Sequence, residues 1–231
     1  MSIPDTETST RERQPFVLRQ AITLRETLIA SATAVVIIII SSVIARNGTV
    51  PAWEESALHF FNDWADWLEP VMWVLQQVGV TGAPIVAAVV VYYFTRRWQH
   101  LVAFAAILPL KLVIEKGLIK NLVERDRPFE SVGAEVNVRG PAFEGLSYPS
   151  GHTTTIFGVS VLLFALLSPR WRVVPIVWAF IVAIARLYYG EHNLLDVVAG
   201  AATGTLFAVM LWYSLLNRVD DDSRDGVATN S

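Results

Sequence analysis

Three short stretches of the chain combine basic residues and histidines with the ends of apolar segments. They lie at residues 120–128, 148–152 and 186–196, and we call them the first, second and third motifs. Ionisable groups at or near bilayer depth are costly, so they tend to mark functional sites. Lysine and arginine together are suited to hold an anion, and a phosphate suits several of them at once. The pattern therefore predicts a phosphate-binding site.

The first motif is Lys120, six residues, and then Arg127-Pro128, with Arg125 just ahead. Both arginines can donate two parallel hydrogen bonds to phosphate oxygens. The alternative is that cations at a helix end simply reach towards lipid headgroups. The predicted external position of this motif favours a functional role, because basic residues are not enriched on that side.

The second motif is Tyr148-Pro149-Ser150-Gly151-His152, directly before an uncharged apolar run. Proline followed by serine and glycine is typical of a helix N-terminus, whose free N–H groups favour an anion. Gly151 lets the backbone approach a ligand closely, and Ser150 adds a hydroxyl donor. His152 in the first turn could give a proton to a leaving oxygen. The alternative is that His152 is only a polar cap of the helix.

The third motif is Arg186, five residues, His192, three residues and Asp196. The spacing of His192 and Asp196 predicts that they share one helical face, so that the carboxylate holds one ring nitrogen. The other nitrogen is then free to act as a base or a nucleophile. The alternative is a structural histidine–aspartate pair that fixes the turn.

The apolar segments that carry these motifs predict an all-α, polytopic membrane protein. Of the 231 residues, 53% are hydrophobic and 17% charged, and the mean hydropathy is +0.45. A spanning helix needs about 20 mostly apolar residues. We predict a six-transmembrane-helix bundle over residues 28–216, between a polar N-terminus at 1–27 and an acidic tail at 217–231. The six segments are Leu28–Ala45, Val71–Phe94, Leu101–Ile119, Gly151–Ser168, Val173–Tyr189 and Val197–Leu216.

The arginine distribution predicts the orientation of this bundle. Four arginines precede the first segment, which places the N-terminus in the cytoplasm. Both termini and the turns at Arg96 and Arg170 then lie inside, and all three motifs lie on the outer face. A cleaved signal peptide is the alternative for the first segment, although its long apolar run favours an uncleaved helix.

Residues 53–68 predict a short helix at the interface. Gly200 and Gly204 predict close packing of the last helix.

Composition excludes several other kinds of protein. The net charge of −3 and the acidic tail disfavour nucleic acid as a partner. The absence of cysteine excludes disulfides, thiolate metal sites and a cysteine nucleophile. No carboxylate cluster among the motif residues is suited to Mg²⁺, so we expect neither a metal nor a cofactor.

The three motifs in this order resemble the signature motifs of the type 2 phosphatidic acid phosphatase family, which is related to the vanadium haloperoxidases. The resemblance covers about residues 71–216. It implies that His192, oriented by Asp196, attacks phosphorus to give a phosphohistidine, while His152 protonates the leaving group. It also implies which groups bind the phosphate oxygens: Lys120, Arg127, Ser150, Gly151 and Arg186. One position departs from the family pattern, because Ala185 stands where a serine is usual.

The sequence thus predicts metal-independent hydrolysis of a lipid phosphate that enters sideways from the bilayer. Polyprenyl pyrophosphate, phosphatidylglycerol phosphate, phosphatidic acid and diacylglycerol pyrophosphate all fit, in a bacterial plasma membrane, and polyprenyl pyrophosphate is the leading candidate. One alternative is a phosphotransferase with an acceptor other than water. Another is a non-catalytic lipid-binding or transport protein, which would be expected to have lost His152 or His192. A haloperoxidase is disfavoured, because six spans would serve no purpose there. The oligomeric state is left open.

Overall fold

A computed structural model describes residues 21–46, 48–140 and 145–217. Within them the chain is helical, as the sequence predicts. The α-helices are Leu24–Ala45 (α1), Ala52–Asn62 (α2), Glu69–Gln76 (α3), Ala83–Thr95 (α4), Trp98–Ala105 (α5), Ile107–Leu110 (α6), Lys120–Val123 (α7), Pro128–Ser131 (α8), Gly151–Leu166 (α9), Val173–Tyr188 (α10) and Leu194–Leu211 (α11). Most of the predicted polar N-terminus and nearly all of the acidic tail lie outside the described residues.

Only some of the six predicted segments form helices that are long enough to span a membrane in the part of the chain that the structure describes. Leu24–Ala45 and Leu194–Leu216 are long and apolar enough to cross a bilayer. Asp66–Gly79 and Ala83–Thr95 would make a third span if they are counted together. Helices α9 and α10 have 16 residues each. At 1.5 Å per residue they extend about 24 Å, less than the roughly 30 Å of a hydrocarbon core. The count of six spans stays a prediction.

The second predicted segment, residues 71–94, is not one straight helix. It breaks after a 3₁₀ turn at Gln77–Gly79, and its two parts are bent by 66°. Gly79 lies against the second motif, since a Cβ added there would come within 3.1 Å of the His152 carbonyl oxygen. The break therefore brings the end of α3 against the start of α9.

The third predicted segment is also more irregular than expected. It consists of α5 and α6, a π-helical stretch at Lys111–Ile119 and the single turn of α7. A π-helical stretch adds residues to each turn and rotates the side chains that follow, and such stretches are frequent at functional sites. Here it carries Lys111 and Glu115 to the second motif, and Lys120 follows it as the first residue of α7.

Helix α9 lies in the centre of the bundle and packs closely on α11. A Cβ added to Gly204 would overlap the Thr154 carbonyl oxygen, and one added to Gly200 would lie 2.6 Å from the Ser150 carbonyl oxygen. The predicted close packing through these two glycines is therefore confirmed. Leu162 and Phe157 of α9 belong to two separate apolar clusters at its two ends.

The ends of α1 define the two ends of the bundle. Ile22 and Asn217 exchange two hydrogen bonds of 3.0 and 2.6 Å, so the start of α1 lies beside the end of the last helix. At the other end of α1, Ser41 and Ser42 are 2.8 and 2.9 Å from the Tyr148 hydroxyl. The second motif therefore lies at the opposite end of the bundle from both described chain ends.

The predicted short helix at residues 53–68 is α2, followed by a 3₁₀ turn at Asp66–Leu68. Its buried residues are spaced four apart, at Glu54, Leu58 and Asn62. Two of these three buried residues are polar. A glutamate can be buried there because an arginine from another element meets it, as described below.

Candidate active site

The three motifs meet at one end of the bundle. The second and third are joined by a hydrogen bond of 2.9 Å from the Ser150 N–H to the Asp196 carbonyl oxygen. The first and second are joined by Lys120, whose Nζ donates to the carbonyl oxygens of Leu146 at 2.8 Å and Pro149 at 3.1 Å. Gly151 and His152 are the first two residues of α9, directly after Ser150. Residues far apart in the sequence thus share one site.

His192 precedes α11 and lies outside it, because Asn193 is the N-cap of that helix. The expectation that His192 and Asp196 share a helical face is therefore wrong. They approach each other because the Asp196 side chain, in the first turn of α11, points back towards the N-cap residue Asn193. The His192 Nδ1 lies 3.5 Å from Asp196 Oδ2, which is beyond an ordinary hydrogen bond.

The Asp196 carboxylate is held on both oxygens by other donors. Oδ2 accepts from the Asn193 N–H at 2.8 Å, and Oδ1 accepts from Arg125 Nη1 at 3.0 Å. The buried His192 Nδ1 has no hydrogen-bond partner in the described part of the chain. Asp196 is thus fixed in place beside a ring nitrogen that needs a partner, and catalytic hydrogen bonds often tighten only when substrate is bound.

The surroundings keep the His192 ring neutral. Burial lowers its pKa well below the usual value, and the positive charges of Arg186, Arg127 and Lys120 lower it further. A neutral imidazole has a lone pair available on one nitrogen, which is what a nucleophile requires. The cations that suit a phosphate therefore also prepare the ring for attack.

Arg125 does not have the role that the first motif suggested. Its guanidinium is 1% exposed and binds the two Glu54 carboxylate oxygens at 2.9 and 2.7 Å, besides Asp196. Glu54 Oε1 also accepts from the Leu195 N–H at 2.8 Å. The expectation that Arg125 forks onto phosphate is wrong, because α2 supplies a carboxylate that occupies it. Arg125 instead ties α2 to the start of α11.

Arg127 and Arg186 lie on either side of one carboxylate. Arg186 contacts both the Glu191 carboxylate and the Gln76 side-chain oxygen. Arg127 donates to the carbonyl oxygens of Gly145 and Glu191, each at 3.0 Å, and its Nη1 lies 3.9 Å from Glu191 Oε2. An anionic oxygen thus already lies between the two arginines that the third and first motifs contribute.

Sequence reasoning missed Glu54, Gln76 and Glu191. A signal existed for Glu191, which directly precedes His192 in a turn where Gly190 has a φ of +66°. Glu54 and Gln76 gave no such signal. Glu54 lies more than 60 residues from the motif residue that it binds, and Gln76 lies in a segment that is predicted to be a plain membrane span. Ala185, at the position that departs from the family pattern, is fully buried in an apolar cluster with Met72, Tyr188 and Tyr189.

The carboxylates of this site are engaged by cations. Glu54 and Asp196 bind Arg125, and Glu191 binds Arg186. Over the residues that the structure covers, no group of three or more histidine, aspartate or glutamate side chains is placed to hold a metal ion. The arrangement that remains is a buried histidine with a lowered pKa, a second histidine and a set of cations, which is suited to phosphoryl transfer.

Comparison with known proteins agrees with this geometry. The model of the PAP2 superfamily matches residues 100–220. A lipid A 1-phosphatase of Rhizobium johnstonii is 44% identical over 116 residues, which cover 46% of this chain and 44% of that protein. An undecaprenyl-diphosphatase of Sulfolobus acidocaldarius is 29% identical over 136 residues, covering 58% and 60%. The matched segments thus span less than two thirds of these relatives.

Two solved structures have a similar fold. A PAP2-type phosphatidylglycerolphosphate phosphatase from Bacillus subtilis superposes with a TM-score of 0.62 and 19% identity, covering 83% of this chain and 96% of the other. Aquifex aeolicus LpxE gives a TM-score of 0.55 and 19% identity, covering 70% and 95%. At this identity the likeness concerns the fold alone.

Proposed function

Because the chain belongs to the PAP2 superfamily, we propose that it is a membrane phosphatase that hydrolyses the phosphate monoester or pyrophosphate headgroup of a lipid. The observation that carries the proposal is the meeting of three motifs at one end of an apolar helical bundle. Relatives named as lipid A and undecaprenyl-diphosphate phosphatases support a lipid phosphate as substrate.

The proposed reaction has two steps. His192 attacks phosphorus, and a P–N bond forms as the bond from phosphorus to the leaving oxygen breaks; His152 gives that oxygen a proton. Water then attacks the phosphohistidine and His152 takes a proton from it; a P–O bond forms as the P–N bond breaks, which regenerates His192 and releases inorganic phosphate. The burial and neutral state of His192 support its role as nucleophile.

The phosphate oxygens bind to cations and N–H groups throughout these steps. The proposed binding residues are Lys120, Arg127, Ser150, Gly151 and Arg186. Most of the rate gain in phosphoryl transfer comes from positioning and from electrostatic stabilisation of this kind. Glu191 lies where an anion fits between two of the arginines, so a bound phosphate takes over these contacts. The reaction needs no metal in this scheme, since the cations do that work.

The support for Asp196 comes from Arg125 of the first motif and from Glu54, which lies outside the motifs. Asp196 keeps the His192 ring in its orientation, and Arg125 with Glu54 keeps Asp196 in place. A buried cation that contacts two carboxylates holds both in fixed positions, and removing one member leaves an unpaired buried charge. The nucleophile therefore depends on a chain of contacts that reaches α2.

For the architecture, we propose that residues 28–216 form a six-span membrane domain with an interfacial helix, flanked by a cytoplasmic N-terminus at 1–27 and a cytoplasmic tail at 217–231. The pairing of Ile22 with Asn217 supports a common side for both ends, away from the site. The active site then faces the outside of a bacterial plasma membrane, where a lipid headgroup can enter from the bilayer. Polyprenyl pyrophosphate is the leading substrate.

The test uses purified full-length protein in detergent and a panel of lipid phosphates, with inorganic phosphate release as the readout. The panel holds undecaprenyl pyrophosphate, phosphatidylglycerol phosphate, phosphatidic acid and lipid A. We expect release from at least one lipid in the presence of EDTA, and none from His192→Ala. No release from any lipid, or release only after Mg²⁺ is added, would contradict the proposal.

A further inference from the structure

A buried lysine outside the three motifs lies beside the site. Lys111 is the first residue of the π-helical stretch and is only 6% exposed. Its Nζ donates to the Thr81 hydroxyl at 3.1 Å. A buried ammonium at bilayer depth is costly, so a lysine there generally serves a function or has a partner. The mechanism proposed above does not use it.

The Lys111 ammonium borders the start of α9. A Cβ added to Gly151 would lie 3.2 Å from Lys111 Nζ and 3.4 Å from Glu115 Oε2. Gly151 is the first residue of α9, so the lysine lies next to free backbone N–H groups that favour an anion. The absence of a side chain at Gly151 lets the Lys111 ammonium approach the start of α9 this closely.

A second observation marks the same place. Glu115 is 1% exposed, and its Oε2 has no hydrogen-bond partner within the described ranges. Its Oε1 lies 3.6 Å from Lys120 Nζ. Two lysines therefore surround one carboxylate, which leaves one positive charge in excess and one buried polar atom unsatisfied. A bound phosphate carries negative charge and would balance the excess positive charge of the two lysines. A hydroxyl on that phosphate would donate a hydrogen bond to the unsatisfied Glu115 Oε2.

The position of Lys111 relative to the two histidines indicates its side of the site. Lys111 Nζ lies beside Gly151, which directly precedes His152, the proposed proton donor to the leaving group. In an in-line displacement the nucleophile and the leaving group lie on opposite sides of phosphorus. Lys111 thus belongs to the side of the leaving group.

We propose that Lys111 binds the lipid-linked phosphate of a pyrophosphate substrate. This inference rests on the proposed function. His192 attacks the terminal phosphorus, the bond from that phosphorus to the bridging oxygen breaks, and the bridging oxygen leaves on the lipid monophosphate. Lys111 stabilises the charge that this oxygen acquires, so the leaving group needs less protonation by His152. A monoester has no second phosphate at this position and makes no use of the lysine.

The test compares two substrates with one tail, farnesyl pyrophosphate and farnesyl monophosphate, on purified protein in EDTA. Lys111→Gln keeps a donor for Thr81 but removes the charge. We expect kcat/KM for the pyrophosphate to fall by on the order of 10- to 100-fold, the loss typical of a hydrogen bond to a charged group. The monophosphate should change by less than about 3-fold, since it lacks the phosphate in question.

Two further variants serve as controls. Lys116→Gln, in the same π-helical stretch but exposed, should leave both substrates unchanged. Lys111→Arg should keep most of the preference for the pyrophosphate, because it keeps the charge. Equal losses on the two substrates in Lys111→Gln, or a wild-type enzyme that hydrolyses only the monophosphate, would overturn the inference. A wild-type enzyme that hydrolyses neither would contradict the proposed function instead.

A measurement on the wild-type protein covers the case in which Lys111→Gln does not fold. Methylenediphosphonate, a pyrophosphate analogue that resists hydrolysis, should inhibit at a concentration at least about 10-fold lower than inorganic phosphate does. Equal inhibition by the two anions would show that the site holds one phosphate only and would overturn the assignment of Lys111.

Discussion

The two ends of the bundle use arginine in opposite ways. At the site end, Arg125 and Arg186 are 1% and 2% exposed, and their guanidinium groups bind carboxylates. At the other end, Arg96 and Arg170 are exposed and lie 4.9 and 5.7 Å from the ring centres of Tyr93 and Trp171. The first pair is fixed by partners from distant elements, while the second rests on neighbouring rings at the surface. Arginines at the ends of apolar helices thus differ in burial and in partner between the two ends of this bundle.

The largest expected effect lies at the nucleophile. His192→Ala should reduce phosphate release by on the order of 10⁴-fold or more, because it removes the proposed nucleophile. His59→Ala on α2 is the control, since that histidine is partly exposed and pairs with Asp63. Release by His192→Ala at near wild-type rate would contradict the assignment of the nucleophile to the site end.

Labelling of single cysteines tests whether the two ends face different compartments. The chain has no cysteine, so one introduced residue gives the whole signal. A cysteine at Gly133, near the site end, should react with an impermeant thiol reagent in intact cells. A cysteine at Trp98, beside Arg97, should react only after permeabilisation. The opposite pattern would place the site in the cytoplasm.

The buried pair of Arg125 and Glu54 is expected to matter for both stability and rate. Glu54→Gln removes the charge that balances a buried arginine, which typically costs about 3–5 kcal/mol. We expect a clear fall in Tm and a lower kcat, since Asp196 loses its support.

The matched controls for this prediction are Glu55→Gln on the same helix and Arg170→Met at the other end. Both should change the free energy of unfolding by less than about 0.5 kcal/mol, as is usual for surface positions. If Arg170→Met destabilises the protein as much as Glu54→Gln, the two ends do not differ as described.

The pH profile should show a smaller effect. Because the pKa of His192 is lowered, the acid limb of kcat/KM should lie well below pH 6.5, where an ordinary histidine titrates. Arg127→Met removes one of the cations that oppose protonation, so the pKa should rise and the acid limb should move to higher pH. Arg170→Met should leave the limb in place. A limb that stays fixed or moves to lower pH in Arg127→Met would contradict the electrostatic account.

The sequence predicted the helical class and the three motifs that meet in the candidate site, because both depend on local signals. Apolar runs of sufficient length predict helices, and the motif residues stand at their ends. It did not predict the break at Gln77–Gly79, because the apolar run continues through it. It placed His192 on a helix although Asn193 is a typical N-cap residue directly before an apolar run.

What the sequence could not show is which distant residue meets which. Arg125 looked like a phosphate ligand because Glu54 is 71 residues away and lies on a helix whose apolar spacing predicts a plain surface cap. Gln76 reaches Arg186 across 110 residues. Contacts of this kind follow from the packing of whole helices, and a single sequence does not show that packing.

Substitution of the two α11 glycines is expected to affect the active site through the packing of α11 on α9. Gly200 and Gly204 lie one and two turns below Asp196, and a side chain at either would push α11 away from α9. His152 lies in the first turn of α9, and His192 lies directly before the N-cap of α11, so the proposed proton donor and nucleophile would move apart with the two helices. A methyl group added at either glycine, without contact to the substrate, would therefore change the distance between the two proposed catalytic histidines. We expect that the lipid would still bind and that the chemical step would slow.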